Sequence, residues 1–191
     1  MADLTSKIHT ANGLALTVRP LAADDQEALT AYFEGLSDET RRRYGPHPFD
    51  RETAQRLCAS IDHAKTIRFV ALDPEGRFVG YMILTREIAR GDRDRHRGQL
   101  TKGACASLAP SIADAYQDQG IGSQMAEHVL ASAAELGLKQ VILMGGVQDS
   151  NARAYHYYEK LGFQRVCSFW TGQDETRILN HAMIHRLQTK D

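Results

Sequence analysis

Tyr116-Gln117-Asp118-Gln119-Gly120-Ile121-Gly122-Ser123 joins two segments of different periodicity. Ahead of it, residues 104–112 form an apolar run of strand length; behind it, Met125, Val129, Leu130, Ala133 and Leu136 recur at helical spacing. The stretch is therefore a strand-to-helix turn. Gly120 and Gly122 lack Cβ atoms, so the backbone can turn sharply here and a ligand can approach it closely. The first helical N–H groups have no acceptor inside the helix and point outward. Together with the helix dipole they make an anion site suited to phosphate. Two glycines two apart can also mark a plain tight turn, so the context has to choose.

Upstream, the strand leading into the turn carries Pro110, which cannot donate to a ladder and belongs at a bulge or an unpaired edge. Downstream, residues 140–145 read as a buried strand, and a strand–helix–strand connection of this length is normally a parallel, right-handed crossover. If Pro110 stops the two strands pairing at their C-terminal ends, a cleft opens there for an extended ligand.

Further out, residues 14–20 alternate like an opening strand, and Asp24 and Asp25 can cap a helix with Ala28, Leu29, Tyr32, Phe33 and Leu36 on one face. A short helix over residues 37–44 stops at Gly45-Pro46, and Asp50 caps a third with Ala54, Leu57, Cys58 and Ile61 inward. Arg41-Arg42-Arg43 reads as a solvated face or a ligand patch, and His47 as a turn residue or a substrate contact. Residues 66–72 and 77–88 form a hairpin around Asp73-Pro74-Glu75-Gly76. The mixed-charge residues 90–98 read as an exposed, mobile loop. Asn151 opens a helix that ends at Gly162, and residues 164–170 and 177–187 supply two last strands. The fold class is mixed α/β, with a largely antiparallel sheet and helices on both faces.

At 191 residues and 42% hydrophobic content, the chain reads as one domain over residues 1–191, with residues 1–10 as a flexible extension. A formal net charge of −1 gives no bulk footprint for nucleic acid or an anionic membrane. Cys58, Cys105 and Cys167 suit neither a disulfide framework nor a metal motif, and no apolar run reaches the length of a membrane span. The expectation is a cytoplasmic protein without metal, membrane or nucleic-acid partners.

Gln117-Asp118-Gln119-Gly120-Ile121-Gly122 resembles the Gln/Arg-x-x-Gly-x-Gly/Ala signature of the GNAT superfamily of N-acetyltransferases. Residues 151–163, from Asn151-Ala-Arg through Tyr158-Glu-Lys-Leu-Gly162-Phe163, resemble that superfamily's second signature at the usual distance downstream. The likeness is sharpest over residues 104–165 and weak over 37–65. It implies the GNAT fold, with a splayed parallel pair of central strands. It also implies acetyl-CoA as cosubstrate, a primary amine of a small molecule or peptide as acceptor, direct transfer in a ternary complex, and possible homodimers. By the same likeness, backbone N–H groups from Gln117, Asp118, Gln119, Gly120, Ile121, Gly122 and Ser123 hold the pyrophosphate. Ile112, Ala113 and Asp114 hold the pantetheine arm, and Asn151 bonds that arm or merely caps its helix.

By the same likeness Tyr158 is either a core aromatic or the phenol that assists the departing CoA sulfur, and a tyrosine pKa of about 10 keeps it protonated at neutral pH. Tyr155 and Tyr157 read as core aromatics. Ser107 stands where many relatives carry a glutamate base, which leaves water, Glu87, Asp114 or His181 to take the amine's proton, or else a non-catalytic acyl-CoA sensor.

Overall fold

Strand β5 (Cys105–Ile112) and helix α5 (Ile121–Glu135) each contribute to both of the units into which the chain divides. Residues 1–84 and 109–129 make the first unit, residues 85–108 and 130–191 the second. The computed structural model describes residues 4–44 and 46–188. Gly45, half of the expected helix stop, and the ends of the chain lie outside the described residues.

In the first unit, β1 (Ser6–His9), β2 (Ala15–Pro20) and β3 (Thr66–Leu72) pair antiparallel in that order, from Ser6 opposite Val18 to Pro20 opposite Phe69. The Asp73 turn then leads into β4 (Phe78–Thr85), and the Ala113 N–H, just past β5, donates to the Val79 carbonyl at 2.9 Å. The expected flexible extension is thus corrected for residues 6–9. Leu4 and Ile8 bury their side chains at 5% and 6% exposure, an alternation that makes this segment an edge strand.

Helices α1 (Gln26–Glu34), α2 (Asp38–Arg43) and α3 (Arg51–Ala59) lie where helical spacing placed them, and the Asp50 side chain caps α3 at the Thr53 N–H. Asp25 does something else. Its carboxylate meets the Arg19 guanidinium in two 2.7 Å bonds and takes the Ala22 N–H, so it makes no side-chain cap on α1. A bidentate charged pair outcompetes a single capping bond. Removing one member leaves the other with an unmatched charge, so Arg19→Ala is expected to cost about 3 kcal/mol, read as a lower urea midpoint. Arg41 is likewise structural: its guanidinium donates to the carbonyls of Phe33, Glu34 and Leu36 at and just past the end of α1, and to that of Phe49 ahead of α3. Arg43 pairs with Glu39 on the exposed face of α2.

In the second unit, β5 runs parallel to β6 (Gln140–Leu143) from Cys105 opposite Gln140 to Leu108 opposite Leu143. The Met144 N–H adds a last bond to the Leu108 carbonyl, and Pro110 lies beyond it at a position where its missing N–H costs that ladder nothing. β9 (Ile178–Arg186) pairs antiparallel with β6, with the two-residue β7 (Val147–Gln148), and with β8 (Gln164–Thr171). The fold is therefore mixed α/β, with mostly antiparallel strands and one parallel pair.

The expected mobile loop at residues 90–98 is corrected. Residues Arg90–Arg95 form α4, where the Asp92 side chain accepts bonds from Arg95 and from the Gly145 N–H. Asp92 and His96 are 4% and 0% exposed, and these inward contacts give the segment a fixed place despite its charged composition. α6 (Ala152–Lys160) follows β7. Among the described residues no helix is long and apolar enough to cross a membrane.

Candidate cofactor site

The loop between β5 and α5 is held from four sides of its own unit. A 3-10 turn over Asp114–Tyr116 starts it. The Asp114 carboxylate accepts bonds from the Ser37 N–H and hydroxyl, 2.8 Å each, and from the Thr40 hydroxyl at 2.7 Å, tying the loop to the start of α2. Partial burial would raise the Asp114 pKa, but the hydrogen bonds from Thr40 and Ser37 outweigh it and hold the carboxyl below its usual range. That makes Asp114 a weaker base than an ordinary aspartate.

On a second side, the Tyr116 hydroxyl donates at 3.3 Å to Asp73, the carboxylate that organises the β3–β4 turn through the N–H groups of Glu75 and Arg77. On a third, the Gln117 side chain donates to the Ile112 carbonyl at 3.2 Å. On the fourth, the Ala11 N–H donates to the Gln119 carbonyl, and Gln124 grips His9 twice, accepting its N–H and donating to its carbonyl.

Within this frame Asp118 and Gly120 both adopt left-handed backbone, with φ of 61° and 77°. A Cβ at Gly120 would meet nothing nearer than 3.7 Å, so glycine is needed there for its φ and not for space. The two left-handed residues reverse the chain directly before the first turn of α5, where helical N–H groups point out along the axis. The outcome is a concave run of backbone at a helix N-terminus, which favours an anion. α5 itself is seated closely: a Cβ at Gly80 would lie 3.0 Å from the Met125 sulfur and 3.1 Å from Ile112.

Of the three residues expected along a pantetheine arm, Ala113 already uses its N–H on Val79 and its carbonyl on the Tyr116 N–H, and the Ile112 carbonyl serves Gln117. A carbonyl keeps a second lone pair, so both can still accept a bond.

In the second unit, Asn151 caps α6, its side chain accepting the Ala154 N–H at 3.1 Å. Tyr158 is 9% exposed, with the rings of Tyr157 and Phe163 at 4.9 and 5.5 Å, and burial alone lifts its phenol far above the usual tyrosine range. Tyr155 and Tyr157 are half-buried. Of the remaining base candidates, Glu87 is exposed beyond the end of β4, while His181 is buried with both ring nitrogens engaged, by Ser168 and Asp149. Ser107 is 1% exposed in β5.

His47 stands in an aromatic cluster with Phe33, Tyr44, Phe49 and Tyr81. Its Nδ1 faces the Pro48 carbonyl and therefore donates, which leaves Nε2 to accept from the Tyr81 hydroxyl at 3.1 Å; burial pushes its pKa down. The contacts by which Asp73 and Gln124 brace the loop from afar had no signal in the sequence, because their partners lie 43 and 115 positions away.

The model of the acetyltransferase (GNAT) domain matches residues 15–164. The chain belongs to the GNAT acetyltransferase family. Solved structures of similar fold include the GNAT domain of S. lividans PAT, at 22% identity and a TM-score of 0.76, over 98% of this chain and 99% of that one. The ribosomal-protein-S5-alanine acetyltransferase of Vibrio fischeri aligns with a TM-score of 0.77 at 14% identity, over 99% of this chain and 100% of that one. Spermidine N-acetyltransferase from Vibrio cholerae, in complex with CoA and spermine, aligns with a TM-score of 0.67 at 20% identity, over 91% and 96% of the two chains. No curated protein sequence matches this one. Membership of the GNAT family makes the protein an acyltransferase by class, and at these identities the structural likenesses speak to its fold.

Proposed function

We propose that the protein is an acetyl-CoA-dependent N-acetyltransferase that passes the acetyl group directly to a primary amine of a small molecule or peptide. The observation that carries this reading is the loop ahead of α5. Left-handed backbone at Asp118 and Gly120 delivers a concave run of main chain to a helix N-terminus, as a diphosphate requires. In this reading Gln117, Asp118, Gln119, Gly120, Ile121, Gly122 and Ser123 hold the diphosphate through backbone N–H groups. Ile112, Ala113 and Asp114 hold the pantetheine arm, with Asn151 as a further contact beside its capping bond.

The amine attacks the thioester carbon, the carbon–sulfur bond breaks, and the sulfur leaves with the electron pair while the Tyr158 phenol donates a hydrogen bond to it. No side chain stands out as the base, since Asp114 is committed to Ser37 and Thr40, His181 to Ser168 and Asp149, and Glu87 is exposed beyond the end of β4. The proton of the amine therefore passes to water.

Release of free thiol from acetyl-CoA, followed against polyamines, aminosugars, amino acids, aminoglycosides and peptides, tests the proposal. Turnover with one amine class supports it; tight CoA binding without turnover on any amine overturns it in favour of a sensor. Gly120→Ala places a Cβ on left-handed backbone at about 1–2 kcal/mol. It is expected to raise the KM for acetyl-CoA about tenfold with a smaller change in kcat. An unchanged KM would remove the loop from the site.

A further inference from the structure

The second unit contains a cavity of about 220 Å³ lined by Asp149, Ser150, Arg177, Ile178 and Leu179. We propose that it is a binding site for a small zwitterion of the α-amino-acid kind, whose ammonium pairs with Asp149 and whose carboxylate pairs with Arg177.

Asp149 is built into its position. Its N–H donates to the Leu179 carbonyl at 2.9 Å, and one carboxylate oxygen takes a 2.8 Å bond from His181 Nε2. His181 is 6% exposed, and its Nδ1 lies 2.9 Å from the Ser168 hydroxyl. Because Nε2 faces a carboxylate it carries a proton and donates to Asp149. A buried imidazole held at both nitrogens fixes a carboxylate that is itself 60% exposed. An ordinary surface aspartate has no such support.

Arg177 is oriented too. Its guanidinium lies over the Trp170 ring, 4.9 Å from the centroid. Stacking occupies the face of the group and leaves the in-plane N–H fork suited to a carboxylate. Trp170 and Ile178 are the large hydrophobic residues most exposed among those described, at 56% and 42%, and Trp170 stands opposite Leu179 in the β8–β9 register. The open cavity thus offers one fixed anion and one oriented cation, with Ile178 and Leu179 beside them. Its volume falls below the roughly 300–1,000 Å³ of pockets for drug-sized ligands, which selects a single small molecule. An amine alone would leave the Arg177 charge unmatched, and a carboxylate alone would meet the negative charge of Asp149.

Trp170 is the chain's only tryptophan, so its fluorescence reports on the ring beneath Arg177. The experiment titrates the full chain, without CoA, with L-methionine, N-acetyl-L-methionine and L-methioninamide, using calorimetry as a second readout. The expected result is a saturable response to methionine, weakened at least about tenfold when either charge of the ligand is blocked, equivalent to about 1.4 kcal/mol for each charged contact. Asp149→Asn is expected to weaken methionine by a similar factor with an unchanged melting temperature, and Arg177→Gln to do the same by calorimetry. Equal binding of methioninamide and methionine, or no saturable response at millimolar concentration, overturns the proposal. CoA titrated into Asp149→Asn is expected to bind as in the parent. A failure there bears on the acetyltransferase reading, whereas the methionine series does not depend on it.

Discussion

Replacing Tyr158 by phenylalanine is expected to lower kcat about 100-fold while leaving the KM for acetyl-CoA nearly unchanged, the signature of an interaction made in the transition state alone. The ring packing against Tyr157 and Phe163 survives the change, so the loss isolates the hydroxyl. Burial raises the phenol's pKa well above its usual value, and far above the roughly 8.5 of an alkyl thiol. A donor that holds its proton more tightly than the departing sulfur attracts it stabilises the thiolate by hydrogen bonding without surrendering the proton. The wild-type rate should therefore show no falling limb from Tyr158 up to about pH 10. A phenylalanine variant within a few-fold of the parent in thiol release would remove Tyr158 from the chemistry.

The second large effect concerns stability in alkali. Burial raises the pKa of Tyr32, Tyr81 and Tyr158, against smaller opposing contributions from Ser111 at Tyr32 and from Arg68 at Tyr81. Below about pH 10 these phenols are protonated in both folded and unfolded chains and pH has no leverage through them. Above that, the unfolded chain loses protons that the native one keeps, so stability falls as pH rises, by up to about 1.4 kcal/mol per pH unit for each tyrosine. Three such groups can exhaust a typical stability of about 5–15 kcal/mol within a few pH units. Urea midpoints taken at rising pH, with tyrosinate absorbance alongside, measure this. The slope should lessen in Tyr32→Phe, where Phe keeps the ring and only the bond to Ser111 is lost. Tyrosinate appearing well before any loss of stability would show these phenols to be solvent-accessible and the argument wrong.

Much of this was readable in advance where short-range physics governs. The glycine-bearing turn, the Asp73 hairpin, the Asp50 cap and the apolar spacing of α5 each depend on residues within a few positions of one another, and each lies where that spacing puts it. The misreadings share a cause. Residues 90–98 look like a solvated loop because their composition is charged, yet Asp92 is spent on the Gly145 N–H, 53 positions away. Asp25 looks like a cap because it precedes a helix, but Arg19 makes a stronger bid for it. Residues 1–10 read as a flexible extension, whereas Ser6–His9 pairs with a neighbouring strand and Ile8 is buried. For the candidate site, the sequence exposed the residues near the glycines and stayed silent on those that brace them, since a brace has no period.

The double grip of Gln124 on His9, with the Ala11 N–H on the Gln119 carbonyl, has a practical corollary. Surface hairpins usually tolerate insertions at small cost, because lengthening a loop adds little closure entropy. The bend between β1 and β2 has no such latitude, for an added residue there would slip its main chain out of register with the helix mouth it touches.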